Sequence, residues 1–122
     1  MEYEVEICSG IEDPSYPFSY YTGNEPSGCI DGNVEVRVNF PDGRSYSLTF
    51  FTIQNLKTQM QNCRETGECA SGLFFRAEEM VVVETLTNEV IFKAIRDLVE
   101  TNEIEIAARD ISRSNNPPAR PT

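Results

Sequence analysis

Residues 33–50, NVEVRVNFPDGRSYSLTF, alternate apolar and polar side chains on both sides of Pro41-Asp42-Gly43. No other stretch narrows the choice of folds as far. Val34, Val36, Val38 and Phe40 share one face, and Tyr46, Leu48 and Phe50 resume the alternation after the turn. A period of two marks a strand with one buried and one wet face. The proline presets φ and the glycine accepts positive φ, so the two runs are predicted to fold back as a β-hairpin.

The same period appears in residues 2–8, with Tyr3, Val5 and Ile7 on one side and Glu2, Glu4 and Glu6 on the other. That is a further strand, and its acidic face also guards a sheet edge against aggregation. Between this strand and the hairpin, Gly10 to Gly32 is broken by Pro14, Pro17, Pro26, Gly23 and Gly28 and reads as a long loop.

Beyond the hairpin the period lengthens. Thr52 is a predicted N-cap, Ile53, Leu56, Met60 and Cys63 form an apolar stripe, and Gly67 is the predicted stop of a short helix. Met80 to Glu84 reads as a buried strand, and Leu73 to Phe75 either pairs separately or leads into it. Thr87 then caps a second helix with Val90, Ile91, Ala94, Ile95, Leu98 and Val99 on one side, Leu86 stapled on Ile91, and Asn102 at its end. The run EIEIAARDI alternates again and predicts a last strand.

The order is β, long loop, β-hairpin, α, β, α, β. It predicts an α+β fold: one antiparallel sheet with two amphipathic helices on one face. A single domain over residues 1–111 is expected, followed by a disordered tail at 112–122, SRSNNPPARPT.

The 122 residues include no histidine and no tryptophan. Ser-His-Asp and Cys-His catalysis, imidazole zinc sites and the usual neutral-pH general base are thereby excluded. GxGxxG and P-loop motifs are missing as well. The four cysteines, at 8, 29, 63 and 69, lack the close pairs of a thiolate zinc site. Cys63 and Cys69 are the nearest neighbours. Cys8 and Cys63 are expected as small core side chains, and Cys29 and Cys69 as partly exposed thiols. Two disulfides remain open for a protein working outside the cytosol. No EF-hand or other spaced oxygen-ligand pattern is present, and no cofactor is expected.

Twenty acidic residues against ten basic ones leave a formal charge of −10. Binding to nucleic acid or to an anionic membrane is disfavoured, whereas attraction to a basic protein is allowed. No stretch approaches the roughly 18 apolar residues of a membrane span, and the acidic start MEYEVEIC lacks signal-peptide character. A cytoplasmic location is the expectation.

The long loop holds Tyr16, Phe18, Tyr20 and Tyr21 among Glu12, Asp13, Glu25 and Asp31. Tyrosines join large contact area to low entropy cost and a polar tip, and so gather at interfaces. Rings surrounded by carboxylates would suit a basic partner protein. The competing reading folds Tyr16 and Phe18 over the sheet, leaving at least one of Tyr20 and Tyr21 in solvent. These eight residues are the candidate partner-binding set.

From Phe50 onward, SYSLTFFTIQNLKTQM and MVVVETLTNEVIFKAIRDLVE resemble the strand, short helix, strand, T-x-E helix layout of small bacterial α+β proteins, some classed as toxin-immunity proteins. The resemblance covers about the second half and rests on hydrophobic layout. It implies an intracellular protein that neutralises a partner by binding, and it transfers no functional residue; the basic partner expected is a toxin or nucleic-acid-processing enzyme. The expected function is therefore an acidic inhibitor or immunity-type protein that occludes a basic partner, with DNA mimicry as one form of it. A self-assembling structural or accessory protein, forming homo-oligomers, and a carboxylate enzyme using a divalent ion are the alternatives.

Overall fold

Strands β2 (Asn33–Asn39) and β3 (Ser45–Thr52) form the predicted hairpin, with Val36 opposite Leu48 and Val38 opposite Tyr46. Gly43 takes φ 96°, which glycine tolerates. The Asp42 carboxylate accepts from the Arg44 backbone N–H at 3.0 Å and from its Nε at 2.8 Å, and these bonds hold the carboxyl below the usual aspartate value. This is a computed structural model, and it describes residues 2–8 and 28–112. Strand β1 (Glu4–Cys8) adds antiparallel to β2, placing Val5 beside Val38 and Ile7 beside Val36.

The far edge of β3 is shared by two short strands. β4 (Met80–Val83) pairs with Thr49–Thr52, and β5 (Arg109–Asp110) pairs with Tyr46 and Ser47. The sheet has five strands and is mostly antiparallel, but β4 runs parallel to β3. The cause is the intervening helix, α1 (Ile53–Thr66), which carries the chain back before β4 begins.

One face of the sheet holds the core. Val34, Val36, Val38, Phe40, Tyr46, Leu48 and Phe50 are buried there with Leu86, Ile91, Ile95, Ile104 and Ala108. Helix α3 (Asn88–Glu100) supplies Ile91 and Ile95, and the Thr87 hydroxyl caps it by accepting from the Val90 N–H at 3.0 Å. Asn102 takes φ 61° just past its end, as the sequence predicts. Burying apolar side chains contributes about 1.5–3 kcal/mol each, so this face dominates stability.

Helix α1 departs from its predicted stripe. The Thr52 cap and the Gly67 stop are present, but the buried side chains are Asn55, Gln59 and Cys63, and Ile53 is 47% exposed. None of these belongs to the core cluster just described. Hydrogen bonds orient the helix instead. Asn55 Nδ2 donates to Asp31 at 2.9 Å, its Oδ1 accepts from Asn33 at 3.0 Å, and Thr58 donates to the other Asp31 oxygen at 2.9 Å.

After Gly67 the five-residue turn α2 (Glu68–Gly72) folds back on α1. Cys69, Ala70 and Ser71 all have left-handed angles, with φ between 50° and 56°, a conformation costing about 1–2 kcal/mol per L-residue. Gly72 must be glycine: a Cβ there would lie 2.6 Å from the Met60 carbonyl oxygen.

The alternation in EIEIAARDI does not give a long strand. Residues Ile104–Ala107 form a helical turn, α4, held by Ala108 N–H to the Ile104 carbonyl at 3.1 Å, and only Arg109–Asp110 are extended. Ile104 and Ala108, four apart, share the buried side, whereas Ile106 is 87% exposed. A helix places i and i+4 together and separates i from i+2. Ile104→Ala is accordingly expected to cost about 2–3 kcal/mol and Ile106→Ala less than about 0.5 kcal/mol in urea unfolding. Equal losses would restore the strand. Ser112, assigned to the tail by sequence, is buried and its hydroxyl accepts from the Ser45 N–H at 2.8 Å.

Candidate functional site

The helix-covered face explains stability; the opposite face carries the charge. Strand register lines up three polar rows across it. Glu4, Asn39 and Ser45 form the first, Glu6, Arg37, Ser47 and Arg109 the second, and Cys8, Glu35, Thr49 and Met80 the third. A fourth row, Asn33, Phe51 and Val82, ends the open area, because Phe75 stacks edge-on over Phe51 at 5.7 Å.

Two linked clusters organise these rows. Glu35 accepts from the Ser47 hydroxyl at 2.7 Å and from Arg37 Nε at 3.3 Å. Arg109 reaches both Glu78 at 3.4 Å and Glu79 at 3.3 Å. Glu79 adopts φ 50° and its carbonyl accepts the Thr49 N–H at 2.9 Å, so it sits where β4 and β5 meet along β3. An open groove of about 560 Å³ runs between the clusters, lined by Glu35, Arg37, Ser47, Glu79 and Arg109 among others. Among the described residues, Glu4, Glu6, Glu35, Glu78 and Glu79 share this surface with the guanidinium groups of Arg37 and Arg109. Exposed ion pairs of this kind add little stability, so the rows are surface chemistry rather than a brace.

Cys8 borders the same surface. Burial, and next the Glu35 carboxylate, push its thiol above the usual cysteine value, which lowers its thiolate content and reactivity. Among the described residues no group of three or more His, Cys, Asp or Glu side chains is placed to hold a metal ion. No helix of the described residues is long and apolar enough to cross a membrane. A larger groove, about 910 Å³, lies between β1 and α3 and is lined by Tyr3, Val5, Phe92, Arg96 and Glu100 among others. It marks the flank where α3 leaves the edge strand partly uncovered, with Tyr3 and Val5 only half-buried.

Of the predicted site residues, Tyr16, Phe18, Tyr20, Tyr21, Glu12, Asp13 and Glu25 lie outside the described residues. Asp31 is described, and its position differs from that of a free surface acid. It is half-buried, and both carboxylate oxygens accept from α1 through Asn55 and Thr58. Its place is structural, fastening the entry to β2 against the helix. Glu4 and Glu6 are exposed on the open face, as the alternation of β1 requires.

Glu35, Arg37 and Ser47 were legible as the wet positions of the hairpin, although the sequence did not single them out as a cluster. Glu78, Glu79 and Arg109 were not legible, because their meeting depends on β4 and β5 reaching β3 from 30 residues apart. No protein-family model, curated protein or solved structure gives a significant match to this chain.

Proposed function

We propose that the protein acts by binding rather than by turnover, as an acidic inhibitor or immunity-type protein that occludes a basic partner protein. The observation that carries this reading is the open face of the sheet, where Glu4, Glu6, Glu35, Glu78 and Glu79 lie on one surface around two arginines. Such a surface attracts a cationic partner over distance and selects its orientation on contact. The absence of histidine from all 122 residues supports binding over acid–base chemistry. Tyr20 and Tyr21 then serve as the desolvated anchor in the complex.

The test is charge reversal. Immobilised protein is challenged with an extract of the cells it comes from, and retained proteins are identified by mass spectrometry. Wild type is expected to retain a basic protein stoichiometrically, and Glu4→Lys with Glu6→Lys to lose it while keeping the same thermal midpoint. Association with the purified partner should slow by about tenfold or more at low salt, with the difference shrinking as salt rises. An acidic partner, or one held equally by the reversed variant, would defeat the proposal.

A further inference from the structure

Cys63 and Cys69 carry a second, independent kind of chemistry. Cys63 is buried on the last turns of α1, and Cys69 is partly exposed in α2. Six positions separate them in sequence, yet the reversal at Gly67 and the left-handed run Cys69–Ser71 return the chain to the helix. The Gly67 N–H closes α1 on the Cys63 carbonyl at 2.8 Å, the Leu73 N–H closes α2 on the Cys69 carbonyl at 3.1 Å, and Gly72 packs α2 against Met60 and Arg64 of α1. The Cys69 thiol thereby becomes a neighbour of the Cys63 thiol and, after burial, the next cause of its raised pKa, and both cysteines are free.

We propose that Cys63 and Cys69 form a dithiol modification site that closes to an intramolecular disulfide on reaction with a small hydroperoxide. The accessible Cys69 sulfur attacks the peroxide: an S–O bond forms, the O–O bond breaks, and one water leaves with the thiol proton. The Cys63 sulfur then displaces hydroxide from the resulting sulfenic acid, forming the S–S bond and releasing a second water with its own proton. Two thiols lose two electrons and one hydrogen peroxide becomes two waters, so the step balances without a further reagent.

The roles are set by position. Cys69 meets solvent first, whereas burial, the Cys69 thiol and the Glu68 carboxylate all keep the Cys63 thiol protonated. Cys63 is thus the resolving partner, reacting through proximity. Left-handed geometry across three consecutive L-residues is rarely held without constraint, and a covalent bond across the turn would supply one.

Arg64 lies between the two cysteines, so trypsin separates them, and a disulfide joins two tryptic peptides. The full chain is treated with hydrogen peroxide, alkylated, digested and examined by mass spectrometry with and without reductant. The expected product is the linked pair 58–64 and 65–76, formed at least about tenfold faster than any disulfide involving Cys8 or Cys29. In Cys63→Ala, which keeps an apolar group in the buried site, Cys69 is expected to persist as a sulfenic acid trapped by dimedone. In Cys69→Ser, Cys63 should remain alkylatable only after unfolding. A linkage to Cys8 or Cys29, an intermolecular dimer through Cys69, or direct overoxidation of Cys69 in wild type would overturn the proposal.

Discussion

Phe50→Ala is expected to lower the unfolding free energy by about 4 kcal/mol, measured as a reduced urea midpoint at unchanged slope. Phe50 is fully buried on β3, between Val34 on one side and Val81 on the other. Both flanking strands are hydrogen-bonded to β3, so the backbone cannot collapse into the space left by the ring. The loss should therefore fall near the upper part of the large-to-small range. Its neighbour Phe51 points to the other face, where Phe75 packs on it, and Phe51→Ala should cost less. A Phe50→Ala loss below about 1 kcal/mol would mean that the core lies elsewhere.

Asn55→Leu should destabilise by about 3 kcal/mol, although periodicity alone would call it an improvement to an amphipathic helix. Asn55 is fully buried and acts as a hub: it donates to Asp31 and accepts from Asn33 and Gln59, the last at 3.3 Å. Leucine would strip a partner from each of these groups, of which Gln59 is buried and Asp31 and Asn33 are partly so. Leaving a buried polar group unpaired costs roughly 1–3 kcal/mol, more for a charged one. Asp31→Asn, which keeps an acceptor for Thr58, should cost less than Asn55→Leu. A neutral or stabilising Asn55→Leu would show that apolar contacts, not this network, orient the helix.

These two residues mark how far the sequence could be read. Phe50 was legible because strand alternation states directly which side is dry, and the hairpin, both threonine caps and the Gly67 and Asn102 stops follow from equally local rules. Asn55 was not legible. On α1 an apolar stripe and a polar hub lie at overlapping helical spacings, and only the arrival of Asp31 and Asn33 decides which turns inward. The parallel sense of β4 belongs to the same class, as does the helical turn at Ile104, where glutamate, isoleucine and alanine suit either a strand or a helix. The open acidic face was half legible: its β1 and hairpin rows could be counted, but the Arg109 cluster needed tertiary pairing.

The divided edge of β3 has a consequence for how the molecule is assembled. The hairpin joins residues close in sequence, whereas Tyr46 must wait for Asp110 and Phe50 for Val81. Close pairings form early and distant ones late, so the sheet grows from its middle and closes last at the carboxy-terminal strand. Until β5 docks, the Tyr46–Ser47 half of the edge stands open to any neighbouring chain, which makes nascent polypeptide, rather than the finished molecule, the form most exposed to aggregation.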